Sequence, residues 1–207
     1  MTNPEASEAA EIDELEARLF DALSLFWRGV RTEAWFAAWP EIVSGVSALE
    51  GESENDDGDA DDAIAALAPL AVERAFAKCF YGVGDETIPL AQSCWESAEH
   101  TYGGPAAFAC TTLYRRFGLK TDGADRLPDD HIGVMLAFAA ELVRRGETET
   151  LERFLRVGAL VWWPRVVEAI EGAEGGETIL PVARTTLRLL RIAQARAAAV
   201  CRPRGQR

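Results

Sequence analysis

The sequence contains only two histidines, and its four cysteines are widely spaced. Neither histidine belongs to a His-x-x-x-His arrangement, and no two cysteines have the close spacing of a zinc or redox motif. The chain is therefore predicted to hold no metal ion, and its cysteines are interpreted as buried thiols in a reducing compartment. The residues concerned are His100, His131, Cys79, Cys94, Cys110 and Cys201.

The motifs of common enzyme classes are also missing. There is no Gly-x-Ser-x-Gly, no phosphate-binding Gly-x-x-x-x-Gly-Lys-Ser/Thr, and no cysteine–histidine pair with supporting context. Gly82-Val83-Gly84 is too short for a dinucleotide fingerprint and follows no strand pattern. We therefore expect a protein that is not an enzyme and uses no cofactor. A nucleotide-dependent enzyme or regulator that uses the Gly82–Gly84 loop is a further alternative.

An export signal and a membrane span are not predicted. Residues 1–14 carry five acidic residues and no lysine or arginine, the opposite of a signal peptide's basic start. No apolar run approaches the ~18–20 residues that a membrane span requires. The net charge of −13 argues against nucleic acid as the main partner. These features lead us to expect a cytoplasmic protein without stable membrane insertion.

Helical periodicity dominates what the sequence does contain. Apolar residues recur at fourfold spacing over 8–29, and Thr32 is placed to cap a second helix, which Pro40 kinks or divides from another over 41–49. No stretch alternates as a strand should. We predict an all-α, single-domain helical bundle over residues 1–207. Its remaining helices are expected at 62–81, 105–117, 128–145, 147–171 (with Pro164 as a kink or break) and 181–200.

Residues 51–62 carry seven acids and no apolar residue larger than alanine, which predicts a mobile loop. A calcium-binding EF-hand register fails there, because its sixth position would be Asp62 and its twelfth Ala68. A solvated charge run explains the segment better. Elsewhere, the adjacent Trp162 and Trp163 should not both face one core on a helix. One of them is expected at a surface or groove.

The segment from Leu127 to Phe138 carries the most specific pattern. Pro128 is placed at a first helical position, with Asp129 and Asp130 in the first turn, where the helix dipole favours negative charge. Helical periodicity puts His131 at the edge of the apolar stripe and Asp130 off it, toward solvent. This arrangement suits recognition better than catalysis, and a structural histidine is the alternative.

Together with two upstream segments, this element resembles the TorD/DmsD family of cytoplasmic chaperones for maturing redox enzymes. The resemblance covers about residues 70–165, and Leu127 stands where the family usually has an acid. It implies a TorD-like helical bundle. The matching pieces are Phe80-Tyr81-Gly82-Val83-Gly84, Pro89, Ser93, Tyr114-Arg115-Arg116-Phe117-Gly118-Leu119, Pro128, Asp130 and His131.

The resemblance also implies a function and partners. Such a chaperone would hold the twin-arginine signal region of a molybdenum-dependent oxidoreductase until cofactor insertion and folding are complete. Its partners would be the signal peptide and the apo-form of the catalytic subunit, and it could be a monomer or a domain-swapped homodimer. The alternative is an assembly chaperone for a non-exported redox subunit, of the nitrate-reductase assembly type.

The implied binding site combines an apolar groove with acidic residues. The groove would take the hydrophobic part of the signal, and Asp129 and Asp130 would meet its arginines. Because Asp130 is expected off the apolar stripe, its replacement by alanine should weaken binding and leave the thermal midpoint nearly unchanged. The peptide-binding residues assigned in this way are Phe76, Phe80, Tyr81, Pro89, Ser93, Trp95, Pro128, Asp129, Asp130, His131, Met135 and Phe138.

Overall fold

Helices form the regular structure of the protein. The computed structural model describes residues 4–50, 67–83, 87–97, 101–121 and 126–202, and these ranges contain no strand, only an isolated antiparallel bridge between Ala91 and His131. The all-α prediction is confirmed. None of the helices in these ranges is long and apolar enough to cross a membrane. They are α1 (Pro4–Trp27), α2 (Glu33–Ala37), α3 (Trp39–Glu50), α4 (Pro69–Phe80), α5 (Gln92–Glu96), α6 (Pro105–Arg116), α7 (Ile132–Arg144), α8 (Thr148–Phe154), a π-helical segment (Leu155–Ala159), α9 (Leu160–Gly172) and α10 (Leu180–Cys201).

Several helix boundaries follow the predicted signals. The Thr32 hydroxyl accepts a hydrogen bond from the Trp35 N–H at 3.2 Å and caps α2. The chain leaves α6 and α7 through Gly118 (φ 73°) and Gly146 (φ 67°), a left-handed conformation that glycine adopts without a steric penalty. The predicted acidic loop at 51–62 lies outside the described residues.

The helix predicted over 147–171 is interrupted at a different residue from the one expected. Pro164 lies inside α9, whereas the regular backbone is lost at Gly158 (φ −106°, ψ −105°) in the π-helical segment. A Cβ on Gly158 would lie 3.2 Å from the Met135 methyl carbon, so glycine permits a close approach to α7 at this point. The helix is therefore interrupted at the residue that packs closely against α7, and not at the proline.

Trp162 and Trp163 are both buried, so the expectation that one of them reaches a surface or groove is wrong. The Trp163 ring packs edge-on against Trp27 of α1 at 4.9 Å, and its indole N–H donates to the Ala183 carbonyl of α10 at 3.1 Å. Trp162 meets the Trp163 ring edge-on at 5.5 Å. Because neighbouring elements cover more than one side of α9, adjacent positions can both be buried.

Helices α1 and α7 cross at close range. The Ser24 hydroxyl donates to the Gly133 carbonyl at 2.7 Å. A Cβ on Gly133 would lie 2.6 Å from the Arg28 Cγ and 3.1 Å from both the Arg28 nitrogen and the Ser24 carbonyl oxygen. Two of these three neighbours are backbone atoms, which cannot turn aside as a flexible side chain can. This crossing brings the end of α1 against the start of α7.

Replacing Gly133 by alanine should therefore destabilise the protein. Overpacking of this kind costs about 1–3 kcal/mol, measurable as a lower denaturation midpoint in urea. Gly172→Ala is the matched control, because a Cβ there meets nothing within 4 Å and the helix end should tolerate alanine. If Gly133→Ala unfolds at the same urea concentration as Gly172→Ala, the close crossing is wrong.

Candidate functional site

Helix α7 begins later than the sequence pattern indicated. His131 is its N-cap residue, and its Nδ1 accepts a hydrogen bond from the Gly133 N–H at 3.1 Å. Before it, the His131 N–H donates to the Pro128 carbonyl at 3.0 Å and closes a turn. The prediction that Pro128 opens the helix, with Asp129 and Asp130 in its first turn, is therefore wrong. The imidazole ring supplies the capping acceptor, so the helix starts after His131.

Asp130 is completely buried. Its Oδ2 accepts a hydrogen bond from the Ser93 N–H at 2.7 Å, and its Oδ1 has no hydrogen-bond partner among the described residues. The expectation that Asp130 faces solvent is wrong, because it extrapolated helical geometry into a turn. The carboxylate points instead toward the segment that carries α5.

Two backbone hydrogen bonds flank the Asp130–Ser93 contact. The Ile132 N–H donates to the Leu90 carbonyl at 2.9 Å, and the Gln92 N–H donates to the Asp130 carbonyl at 3.2 Å. We call Leu90, Gln92, Ser93, Asp130 and Ile132 the Asp130 latch. It fastens residues 90–93 to the beginning of α7.

Asp129 is also engaged within the protein. Its carboxylate accepts hydrogen bonds from the Thr121 hydroxyl at 2.7 Å and from the Thr111 hydroxyl. Its carbonyl oxygen accepts from the Tyr114 hydroxyl at 2.8 Å. These contacts tie the turn before α7 to α6 and to the chain that follows α6. In this structure, both acidic residues of the motif therefore bind other parts of the chain.

Part of the predicted site lines a surface cleft of about 500 Å³, which we call the Tyr81 cleft. It lies between the end of α1, the end of α4 and the turn before α7. Of the residues assigned to the site, Phe76, Phe80, Tyr81, Pro128 and His131 contribute to it. The complete lining is Trp27, Arg28, Phe76, Phe80, Tyr81, Ile88, Leu90, Tyr102, Arg126, Leu127, Pro128 and His131.

The other assigned residues lie elsewhere. The Trp95 indole N–H donates to the Pro89 carbonyl at 2.9 Å, which holds the chain around α5. Met135 and Phe138 are buried in the core, and Phe138 also lines a neighbouring cavity of about 280 Å³. Ser93 belongs to the Asp130 latch. The sequence assignment thus combined residues that line the cleft with residues that do not.

Among the described residues, the charged side chains that line the cleft are arginines, where the sequence predicted carboxylates. Arg28 and Arg126 line both the Tyr81 cleft and the neighbouring cavity, to which Lys120 also contributes. Among the described residues that line the cleft or the cavity, Glu141 is the one carboxylate. It pairs with Arg145 at 2.6 Å. Sequence reasoning missed both arginines. For Arg126, the available signal was its position next to the Leu127–Phe138 motif.

Arg126 is also conformationally unusual. Its backbone lies in the left-handed region, with φ 52°, and no other non-glycine residue of the described ranges does so. Such a backbone costs about 1–3 kcal/mol and is found more often at functional sites than elsewhere. Its exposed side chain lines the Tyr81 cleft. Both features single out Arg126 as a residue to test by substitution.

Burial disfavours the reactive thiolate form of the internal cysteines. It raises the pKa of Cys79 and of Cys94, and it raises the pKa of Cys110 to about 12. No group of three or more histidine, cysteine or carboxylate side chains suited to a metal ion occurs within the ranges given above. His100 lies outside them.

Taken together, the helical bundle and the family match identify the class of protein. The fold resembles the crystal structure of a putative redox enzyme maturation protein from Archaeoglobus fulgidus, with a TM-score of 0.51 and 22% identity over 83% of this chain and 93% of that chain. The chain belongs to the nitrate reductase delta subunit family, whose sequence model matches residues 48–168. The resemblance to the TorD/DmsD type of maturation chaperone is thereby confirmed. A comparison with curated proteins gave no match.

The Asp130 latch predicts a stability defect. Asp130→Ala leaves the buried Ser93 N–H without its acceptor and should cost about 1.5–3 kcal/mol, a fall of about 3–12 °C in thermal midpoint for a domain of this size. Asp130→Asn keeps an acceptor oxygen and should cost less. Circular dichroism melts of both variants measure the effect. An alanine variant that melts like the parent would restore the original expectation of an exposed, dispensable carboxylate.

The thiols provide a second prediction. Cys201 is exposed, while Cys79, Cys94 and Cys110 are buried. At pH 8, a colorimetric thiol reagent should therefore label Cys201 quickly and the other three only after denaturation, because the reactive thiolate is suppressed by their raised pKa values. Cys201→Ser should abolish the fast phase. A fast phase that persists in this variant would show that a buried thiol is accessible in the folded state.

Proposed function

We propose that this maturation chaperone binds a segment of a redox enzyme's catalytic subunit in the Tyr81 cleft. The observation that carries the proposal is an apolar floor, which includes Trp27 and Phe80, under two tyrosine rings that are each 64% exposed, those of Tyr81 and Tyr102. Amphipathic aromatic side chains of this kind are well suited to contact peptides. We further propose that the protein acts in the cytoplasm as a chaperone and has no catalytic role.

Part of the cleft's rim is already ordered in the protein alone. The Tyr81 ring packs against Phe76 at 5.3 Å, so its position is constrained although most of its surface is exposed. A contact that is already ordered loses less conformational entropy when a ligand binds. An apolar client side chain could therefore insert beside Tyr81 without rearranging the chaperone.

The charge of the cleft favours one client chemistry over another. Arg126, which is exposed, would attract a carboxylate or main-chain carbonyl groups of the client and would repel an arginine pair. Asp129 and Asp130 are engaged with other parts of the chain. We therefore favour a client segment without twin arginines, from a redox subunit of the nitrate-reductase type, which the family match also supports.

Binding of a twin-arginine signal region is the second candidate. The apolar part of such a signal would fit the floor of the cleft, and its arginines would have to lie outside the cleft, away from Arg28 and Arg126. This geometry would still allow the protein to hold the client until its cofactor is inserted. The two candidates therefore differ in how binding responds to the charge at Arg126.

Charge reversal at Arg126 tests the two candidates together. Fluorescence anisotropy would measure binding of two labelled peptides: the N-terminal segment of a nitrate-reductase-type catalytic subunit, and a twin-arginine signal peptide. We expect Arg126→Glu to weaken the first by about tenfold or more, the value of a charge-assisted contact. Arg115→Glu, at an exposed position outside the cleft, is the matched control and should bind like the parent.

Each outcome has a defined meaning. If Arg126→Glu tightens binding of the twin-arginine peptide and the other peptide does not bind the parent, the second candidate replaces the first. If Arg126→Glu and Tyr81→Ala both leave the affinity of each peptide unchanged while the variants stay folded, the Tyr81 cleft is not the client site.

A further inference from the structure

A larger groove lies on the other side of α6. It has a volume of about 750 Å³ and runs between α6 and the continuous stretch formed by α8 and the π-helical segment. None of the residues that the sequence assigned to the binding site lines it. We call it the Phe108 groove and define it by Phe108, Leu113, Arg116, Arg153, Phe154 and Val157.

The two walls of the groove are antiparallel. At one end, the Arg145 guanidinium, just before α8, donates to the Phe117 carbonyl, just after α6, at 2.9 Å. At the other end, Gln92 lines the groove beside Gly158, close to the start of α6. On each wall the lining residues are three or four positions apart, as in Ala109, Leu113 and Arg116 on α6. Side chains at this spacing form a ridge along a helix, and another helix can pack between two such ridges. The 12 residues of α6 give it a length of about 18 Å.

The groove exposes apolar side chains that nothing in the described chain covers. Phe108 is 72% exposed and Val157 is 52% exposed, whereas Leu113 and Phe154 form a more buried floor. A phenylalanine this exposed, beside an apolar floor, is typical of an interaction surface. The interruption at Gly158 follows directly after Val157, at the end of the groove.

The charge of the groove defines the chemistry of its occupant. Arg116 and Arg153 line it, both are exposed, and neither has an ion pair or a side-chain hydrogen bond with the described part of the chain. The nearby Arg145 and Arg156, in contrast, pair with Glu141 and Glu152. Among the described residues that line the groove, Glu149 is the one carboxylate, against the two arginines. The described lining therefore has an excess of positive charge, although the whole chain has a net charge of −13.

We propose that the Phe108 groove is a second docking surface, which binds an amphipathic helix of the client with carboxylates flanking its apolar face. The apolar face packs on Phe108, Phe154 and Val157, and the carboxylates pair with Arg116 and Arg153. That the helix belongs to the client rests on the proposed chaperone function. The chemistry of the groove is independent of it.

Two helix-stabilised synthetic peptides serve as probes. They share one leucine-rich face and differ in the flanking positions, which are glutamate in one and lysine in the other. We expect the parent protein to bind the glutamate peptide at least tenfold more tightly than the lysine peptide. Arg116→Glu should reverse this preference, and Phe108→Ser should weaken binding of both peptides by tenfold or more.

The controls lie on neighbouring surfaces outside the groove. Arg115→Glu places the same charge change one residue away, and Val161→Ser makes a similar polar substitution at a valine that is 56% exposed. Both should bind the glutamate peptide like the parent. Circular dichroism of each variant verifies that it is folded, and Arg116→Lys, which keeps the positive charge, should restore most of the binding that Arg116→Glu loses.

Several results would overturn the proposal. These are equal affinity for the two peptides, no binding at all, or equal effects of Arg116→Glu and Arg115→Glu. Self-association of the protein that Phe108→Ser abolishes would also do so, because the occupant would then be a second copy of the chain. Arg126→Glu should leave the glutamate peptide's affinity unchanged, so this proposal and the proposed function at the Tyr81 cleft can fail separately.

Discussion

The hydrogen bond from the Ser93 N–H to the buried Asp130 carboxylate is the contact on which the binding surfaces depend. It fastens residues 90–93 to the start of α7, and both surfaces use this segment: Leu90 lines the Tyr81 cleft and Gln92 lines the Phe108 groove. A buried carboxylate is tolerated only where it is hydrogen-bonded, and removing its partner is costly. The interaction is therefore structural, but losing it would displace residues that line the two surfaces where clients are proposed to bind.

This assigns a different role to the Pro-x-Asp-His element from the one its composition suggested. Asp130 fixes the α5 segment, and His131 caps α7. The turn begins at Pro128, and Pro128 and the preceding Arg126 line the Tyr81 cleft. The element thus shapes one wall of the Tyr81 cleft, while the neighbouring Arg126 supplies exposed charge. If clients bind in the Tyr81 cleft as proposed, a substitution at Asp130 would act through stability, whereas one at Arg126 would act at the binding surface itself.

Local signals predicted most of the helices, and long-range packing explains what they missed. Thr32, Gly118 and Gly146 mark boundaries because capping and left-handed turns are decided by a few neighbouring atoms. The start of α7 was misplaced because proline and two acids also suit a turn, and the His131 ring took the capping position. The Tyr81 cleft could not be derived from sequence, since it joins the ends of α1 and α4 to a turn about fifty residues further along the chain.

The net charge of the chain did not predict the charge of these two surfaces, because the fold decides which side chains meet there. The chain carries −13 overall, yet arginines line both the Tyr81 cleft and the Phe108 groove. Helix α6 lies between the two surfaces: its Leu113 faces the groove, while its Tyr114 lines the cavity that adjoins the cleft. A client that presented a segment to each surface would bind the second one at high effective concentration, so two weak contacts would combine into a stable complex.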